Sequence, residues 1–274
     1  MRLLDTSDAF EAFARKAFVE VPVIREQLWE QRYESAVPEV FEAFYARSAE
    51  RRGRAAVVRE LSDVRTRARA AAPVVRDAIE RVEPTVQTLL GVAPETSPLH
   101  VLMVGPYSTN AVVGPMGDDV AVFHCLEWFH PDQATDVLVA HEDTHAWHEI
   151  VHGEAVLAED TPWMAFAEGL AIGVSRAAVP GRPDDDYFWY GHERFEAWLP
   201  WCQEHRDELV GRFAADIETP EAAETWFGSG LVDKQWRVGY FVADQLVSHL
   251  SQPLDELAAL TPDEGRQLIL DILT

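Results

Sequence analysis

The chain has 274 residues, enough for one large domain or two modest ones with a real hydrophobic core. Its formal net charge is −24, and a negative field of this size disfavours nucleic acid as a partner. Two cysteines, Cys125 and Cys202, are too few for a disulfide framework. No apolar run reaches membrane-spanning length and the first residues do not resemble a signal peptide, so we expect a cytoplasmic protein that does not act at a membrane.

The negative charge is unevenly distributed along the chain. Residues 1–90 carry 15 basic and 15 acidic side chains, whereas residues 91–274 carry 8 and 32. Such a field favours a basic or neutral partner over an acidic one. The solubility of a polyanionic surface explains the imbalance equally well.

Residues 1–95 are predicted to form an N-terminal helical region. Ser7 or Asp8 is a suitable cap for a first helix that continues to Phe18, and Pro38 is suited to the first turn of another. No residue pattern in this region indicates a catalytic or metal-binding site.

From about residue 96 the pattern changes towards extended segments. Residues 101–104 and 120–123 are predicted strands, with Gly- and Pro-rich turns between them. If the second strand lies at a sheet edge, its backbone can pair with an extended peptide. The predicted fold is therefore α+β and mostly helical, with a small mixed sheet in a second domain that covers residues 96–274.

The strongest chemical signal is an H-E-x-x-H motif formed by residues 141–145, inside a segment predicted to be helical from about 132 to 152. Because positions four apart lie on one face of a helix, His141 and His145 can present two imidazoles to one cation. Glu142 projects from the same turn, where a carboxylate can take a proton from an activated water. The motif predicts a zinc site.

A second H-E-x-x-H motif follows on the same helix, from His148 to His152. The four histidines span too great a length for one ion, so only one pair can bind it. Gly153 is predicted to end the helix, which would leave His152 at a fraying terminus and His145 in the ordered interior. This favours the first motif.

A third ligand is predicted on the next helix. Thr161-Pro162 has the pattern of a helix start, with Thr161 as the cap, and Glu168 is the only charge in the apolar segment that follows. A carboxylate in such a segment needs a compensating charge, which a zinc ion supplies. Gly169 and Gly173 leave a smooth face for another helix to approach.

These residues carry a resemblance. Two His on one helix, followed after 22 residues by Glu168-Gly169-Leu170-Ala171, resemble the gluzincin arrangement and, more narrowly, the bacterial family of predicted zinc-dependent proteases of the YjaZ type. The resemblance covers about residues 100–250. It implies a zincin-like metallopeptidase domain with Zn²⁺ bound by His141, His145 and Glu168, and with Glu142 as the general base. The spacing from His152 to Glu168 is short for this arrangement.

The resemblance also implies hydrolysis of a peptide bond, with a donor that stabilises the developing oxyanion. Tyr240, in Arg237-Val238-Gly239-Tyr240, is the first candidate for this role and His192 is the second. Asp143 departs from the family pattern, since an uncharged residue is usual there. Its carboxylate is expected to raise the pKa of Glu142 or to hold a ligand imidazole.

Two functions from different classes therefore remain open. The first is a zinc metallopeptidase that acts on a peptide or protein substrate, as an endopeptidase or an exopeptidase. The absence of a G-x-M-E-N amine-binding motif disfavours an aminopeptidase. The second is a non-catalytic zinc-bearing module whose acidic domain captures a basic protein partner. The sequence does not indicate an oligomeric state.

Overall fold

The computed structural model describes residues 1–48, 53–93, 97–153, 160–192 and 195–274. The fold is α+β and mostly helical with a small mixed sheet, which confirms the predicted class. Two compact units are present: Met1–Glu83 with Pro94–Ala146, and Pro84–Ala93 with Trp147–Thr274. The first unit thus contains both the N-terminal segment and the strands that follow residue 96, whereas the sequence analysis separated them at residue 95.

A four-stranded sheet lies in the first unit. Its strands are β1 (Arg2–Asp5), β2 (Leu99–Met103), β3 (Ala111–Met116) and β4 (Asp119–Cys125), in the order β1-β2-β4-β3. β1, β2 and β4 are parallel, and β3 pairs antiparallel with β4. The first strand did not emerge from the sequence because its pairing, with Leu3 opposite His100, joins segments far apart in the chain.

The strand that contains residues 120–123 does not lie at a sheet edge, so the peptide pairing considered for an edge strand does not apply to it. β4 lies between β2 and β3, so its backbone groups are already paired on both sides. The two edge strands are β1 and β3, and β3 reaches β4 through a tight turn at Gly117, where φ is +63°. Pro115 is tolerated in β3 because an edge strand has one side without ladder bonds.

The remaining elements of the first unit are helical. They are α1 (Ser7–Ala17), α2 (Pro22–Leu28), α3 (Pro38–Arg47), α4 (Arg54–Arg59), the greater part of α5 (Leu61–Leu89) and the first part of α6 (Thr135–His152). In α1, Phe10 and Phe13 lie three residues apart on the buried face and contact the rings of Trp29 and Tyr33. The backbone N–H of Val104, directly after β2, donates to the Tyr33 hydroxyl at 2.9 Å and links this aromatic cluster to the sheet.

The second unit is almost entirely helical. After the end of α6 it contains α7 (Thr161–Ala178), α8 (Asp186–Trp189), α9 (Trp198–Glu204), α10 (Arg206–Asp216), α11 (Ala222–Trp226), α12 (Val238–Ser248), α13 (Leu254–Ala258) and α14 (Pro262–Leu273). A short hairpin of β5 (Leu231–Val232) and β6 (Gln235–Trp236) precedes α12. The central helix is α7, which packs against α12 and α14.

The helix α7 begins as predicted at Thr161, but its cap is one residue earlier. The Asp160 carboxylate accepts a hydrogen bond from the backbone N–H of Trp163, at 3.0 Å. Pro162 lies in the first turn, where no backbone donor is needed. Asp160 is also held by Arg266 at 3.1 Å, which ties this helix start to α14.

The glycines of α7 give a prediction for stability. A Cβ at Gly169 would lie 2.5 Å from the Ala243 carbonyl oxygen and 2.5 Å from a Val247 methyl in α12, whereas a Cβ at Gly173 would first meet Leu254 at 3.7 Å. We expect Gly169→Ala to lower the free energy of unfolding by about 1–3 kcal/mol through overpacking. The matched Gly173→Ala should raise it by up to about 1 kcal/mol through helix propensity. Urea unfolding measures both, and equal effects would contradict the close packing of α7 on α12.

Among the residues that the structure describes, no helix has both the length and the apolar character needed to cross a membrane.

Candidate metal centre

The two histidines of the first motif lie one turn apart on α6. Their Nε2 atoms are 3.1 Å from each other, and the rings meet nearly edge to face with centroids 4.8 Å apart. His141 is buried and His145 is partly buried. The i, i+4 spacing of a regular helix produces this approach, because both side chains leave the same face.

Glu168 is the third member of the group. One ligand atom from each of His141, His145 and Glu168 lies within 4.8 Å of the other two, a group able to hold a metal ion. Glu168 is in the middle of α7, among buried apolar neighbours such as Ala165, Ala167 and Leu170. The three residues that the sequence predicted as ligands are therefore near one another.

The donor set fits a zinc ion. Two bonds of about 2.1 Å at a tetrahedral angle place two imidazole nitrogens about 3.4 Å apart, close to the 3.1 Å between the two Nε2 atoms. Two imidazoles and one carboxylate are also the usual ligands of a hydrolytic zinc site, which keeps its fourth position for water or substrate. The ligand types and their proximity support zinc over magnesium or calcium, which prefer oxygen ligands.

Glu142, the predicted general base, lies on α6 between the two histidines. Its side chain is largely buried, with 9% of its surface exposed. It acts electrostatically on Cys125 and on Asp143, and in both cases its negative charge contributes to a raised pKa. A carboxylate in such a sheltered position interacts strongly with nearby protons and charges, because little water screens it.

The histidines of the second motif make other contacts. His148 is buried and packs its ring against Trp163 and Phe166, at centroid distances of 5.6 and 6.3 Å. His152 places Nε2 3.1 Å from the Ala258 carbonyl oxygen. The helix ends at His152, and Gly153 follows with φ at +71°, as expected for a helix stop. His148 and His152 thus pack α6 against other elements of the second unit.

Asp143 interacts electrostatically with Glu142 and also faces a histidine of the sheet. Its fully buried carboxylate lies 3.7 Å from Nε2 of His100 in β2, and Nδ1 of His100 lies 3.2 Å from Nε2 of His124 in β4. Asp143 therefore faces the sheet, since two residues along a helix turn the side chain by about 200° from His141. Burial raises the pKa of Asp143 well above its ordinary value, with further contributions from Glu83 and Glu142.

Asp143, His100 and His124 form a buried polar row, and burial lowers the pKa of both of its histidines. The pKa of His124 falls to about 4, and that of His100 falls well below its usual range, where the proximity of His124 adds to the effect of burial. Both imidazoles are therefore neutral near pH 7, so one can donate to the other. This buried polar row was not predicted from the sequence. The only sequence signal was two histidines in otherwise apolar strands.

The two candidates for oxyanion stabilisation lie in the second unit. Tyr240 is in the first turn of α12, and its ring packs against Phe227 at 5.6 Å and against the guanidinium of Arg237 at 3.9 Å. His192 follows two residues with positive φ, Tyr190 and Gly191, and its backbone N–H donates to the Trp189 carbonyl at 2.9 Å. Both side chains are partly buried. Arg237 was not predicted from the sequence as a functional residue, although it belongs to the same motif as Tyr240.

Comparison of the chain with protein-family models, with curated proteins and with solved structures gives no significant match.

Proposed function

We propose that this protein is a zinc-dependent peptidase of the YjaZ type. The observation that carries the proposal is the approach of one ligand atom each from His141, His145 and Glu168 to within 4.8 Å of one another. A sheltered carboxylate, Glu142, adjoins the first ligand on the same helix. A metal ligand set with a neighbouring carboxylate provides a site for a Lewis acid and a candidate general base, two groups that metal-assisted hydrolysis uses.

In this proposal each residue has a defined task. His141, His145 and Glu168 hold Zn²⁺, which when bound polarises the scissile carbonyl and makes a water molecule more acidic. Glu142 takes a proton from the attacking water and passes it to the leaving amine. Tyr240 is the first candidate for donating a hydrogen bond to the oxyanion, and His192 is the second.

The substrate class proposed is a peptide or a protein segment, and a cytoplasmic location remains a prediction from the sequence. The alternative function is a zinc-bearing binding module without catalysis, favoured by the excess of acidic side chains after residue 91, which suits a basic protein partner. From the charge and hydropathy of the sequence, we do not expect nucleic acid or a membrane as a partner.

The direct test is hydrolysis of a quenched-fluorescence peptide library by protein with a measured zinc content. We expect activity with about one zinc per chain, loss of activity after dialysis against a chelator, and recovery on adding zinc. Circular dichroism before and after chelation separates loss of the metal from loss of the fold. Protein that binds zinc but cleaves no member of the library would contradict the proposed function and favour the binding module.

A further inference from the structure

Arg237 has an uncommon backbone conformation. It directly precedes α12 with φ at +58° and ψ at +32°, in the left-handed region that residues with a Cβ rarely adopt. Residues held in such a conformation cost free energy and are often found at functional sites. The local fold therefore holds the Arg237 backbone in this conformation at some cost in free energy.

Aromatic rings surround the guanidinium. Its central carbon lies 3.9 Å from the ring centroid of Tyr240, 5.4 Å from that of Trp189 and 5.9 Å from that of Trp236. These rings come from α8, β6 and α12, so three separate elements of the second unit contribute. Stacking of this kind uses the flat face of the guanidinium and leaves its N–H edge available to a planar anion.

Arg176 is an instructive comparison within the same unit. Its guanidinium also stacks on aromatic rings, those of Tyr187 and Phe188 at 4.6 and 5.6 Å. Unlike Arg237, it pairs with two carboxylates, Asp184 at 2.7 Å and Asp244 at 3.4 Å. Its N–H edge is therefore already occupied by anions of the protein.

Arg237 has no such carboxylate among the residues that the structure describes. Its side chain hydrogen-bonds with Tyr240 and interacts through space with Glu168, but no described carboxylate oxygen lies within 4.0 Å of it. The other described cations after residue 91 either pair with a carboxylate or are exposed to solvent. A sheltered guanidinium that no described carboxylate contacts directly is a suitable binding site for an anion.

We propose that Arg237 binds the C-terminal carboxylate of a peptide, so that the protein removes residues from carboxyl ends. This inference rests on the proposed peptidase function and specifies its substrate. The carboxylate matches the planar N–H fork, and the exposed ring of Trp236 supplies an apolar surface for the terminal side chain. The electrostatic interaction of Arg237 with Glu168 places the anion site in the neighbourhood of a proposed metal ligand. Only one residue separates a terminal carboxylate from the last peptide bond.

The reaction in this inference is ordinary hydrolysis. The oxygen of water bonds to the carbonyl carbon of the last peptide bond, and the C–N bond breaks. The leaving nitrogen takes a proton from the same water, so a free amino acid and a peptide shortened by one residue are released. No oxidant or further reactant is needed.

The test is binding of N-acetyl-alanyl-phenylalanine and of its C-terminal amide, measured by calorimetry with the Glu142→Gln protein, which is not expected to cleave them. We expect the free acid to bind at least about tenfold more tightly than the amide, as for a charge-assisted bidentate pair. Adding the Arg237→Gln substitution to the Glu142→Gln protein should abolish this preference for the acid. The matched control Arg212→Gln, which removes a surface arginine paired with Asp233, should keep it.

A second variant guards against misfolding. Arg237→Lys keeps the charge but loses the planar fork, so it should fold and still lose most of the preference. The inference would be overturned if the Glu142→Gln protein with Arg237 intact bound the acid and the amide equally. It would also be overturned if the preference for the acid survived Arg237→Gln. Equal binding of acid and amide, combined with slower cleavage of library peptides by Arg237→Gln than by the wild type, would instead assign Arg237 to the oxyanion, which also overturns the inference.

The two proposals can fail separately. If wild-type protein hydrolyses no peptide but prefers the acid through Arg237, the peptidase proposal fails and the carboxylate site stands. If it hydrolyses internal bonds without regard to a free carboxyl end, the peptidase proposal stands and the carboxylate site fails.

Discussion

Replacing Glu142 by glutamine is expected to reduce kcat/KM for peptide hydrolysis by about 10²–10⁴-fold while zinc remains bound. Glutamine has the shape of glutamate but cannot accept the proton of the attacking water. The loss corresponds to about 3–5 kcal/mol of transition-state stabilisation. Steady-state kinetics with a cleaved library peptide, and zinc content by elemental mass spectrometry on the same preparations, measure the two parts of this prediction.

The second H-E-x-x-H motif supplies the matched control. Glu149 has the same place in that motif as Glu142 has in the first, and it is buried to a similar extent. Glu149→Gln should therefore change kcat/KM little. A large loss in Glu149→Gln with activity retained in Glu142→Gln would move the chemistry to the second motif. Unchanged capture of a basic partner by Glu142→Gln, in protein that never cleaves a peptide, would favour the binding module.

Removing a ligand is expected to abolish zinc binding at stoichiometric levels. His145→Ala and Glu168→Ala each take away one of three donors, and affinity should fall by well over about 100-fold, since even loss of a supporting outer-shell partner costs about 10–100-fold. His152→Ala should retain about one zinc per chain, because its Nε2 contacts the Ala258 carbonyl oxygen. Elemental mass spectrometry on protein purified without added metal measures all three variants beside wild type.

The same set of variants can also refute the assignment of the zinc ligands. Loss of zinc in His152→Ala with retention in His145→Ala would show that the second motif binds the metal. Absence of zinc from every protein, including wild type after zinc is offered at a slight excess, would remove the basis of the peptidase proposal. Thermal unfolding of each variant identifies any loss that comes from misfolding.

The local sequence pattern was sufficient to predict features that depend only on residues close together in the chain. The approach of His141 to His145 follows from helical periodicity, and the end of α6 follows from the ability of Gly153 to adopt a positive φ. Each of these two properties is set within about one helical turn, so the sequence alone determined them. The glycines of α7 indicated a smooth helix face, but only the tertiary structure shows that α12 closely approaches Gly169 and not Gly173.

Tertiary structure decided the features that join distant segments. The pairing of β1 with β2, which brings residues 2–5 beside residues 99–102, has no local signature, and neither does the inner position of β4 in the sheet. The environment of Asp143 depends on His100, and that of Arg237 depends on rings from three elements. Packing of the whole unit determines these neighbours, and a short window of sequence does not specify that packing. For this reason the candidate metal ligands could be identified from the sequence, whereas the environment of Arg237 became apparent only in the tertiary structure.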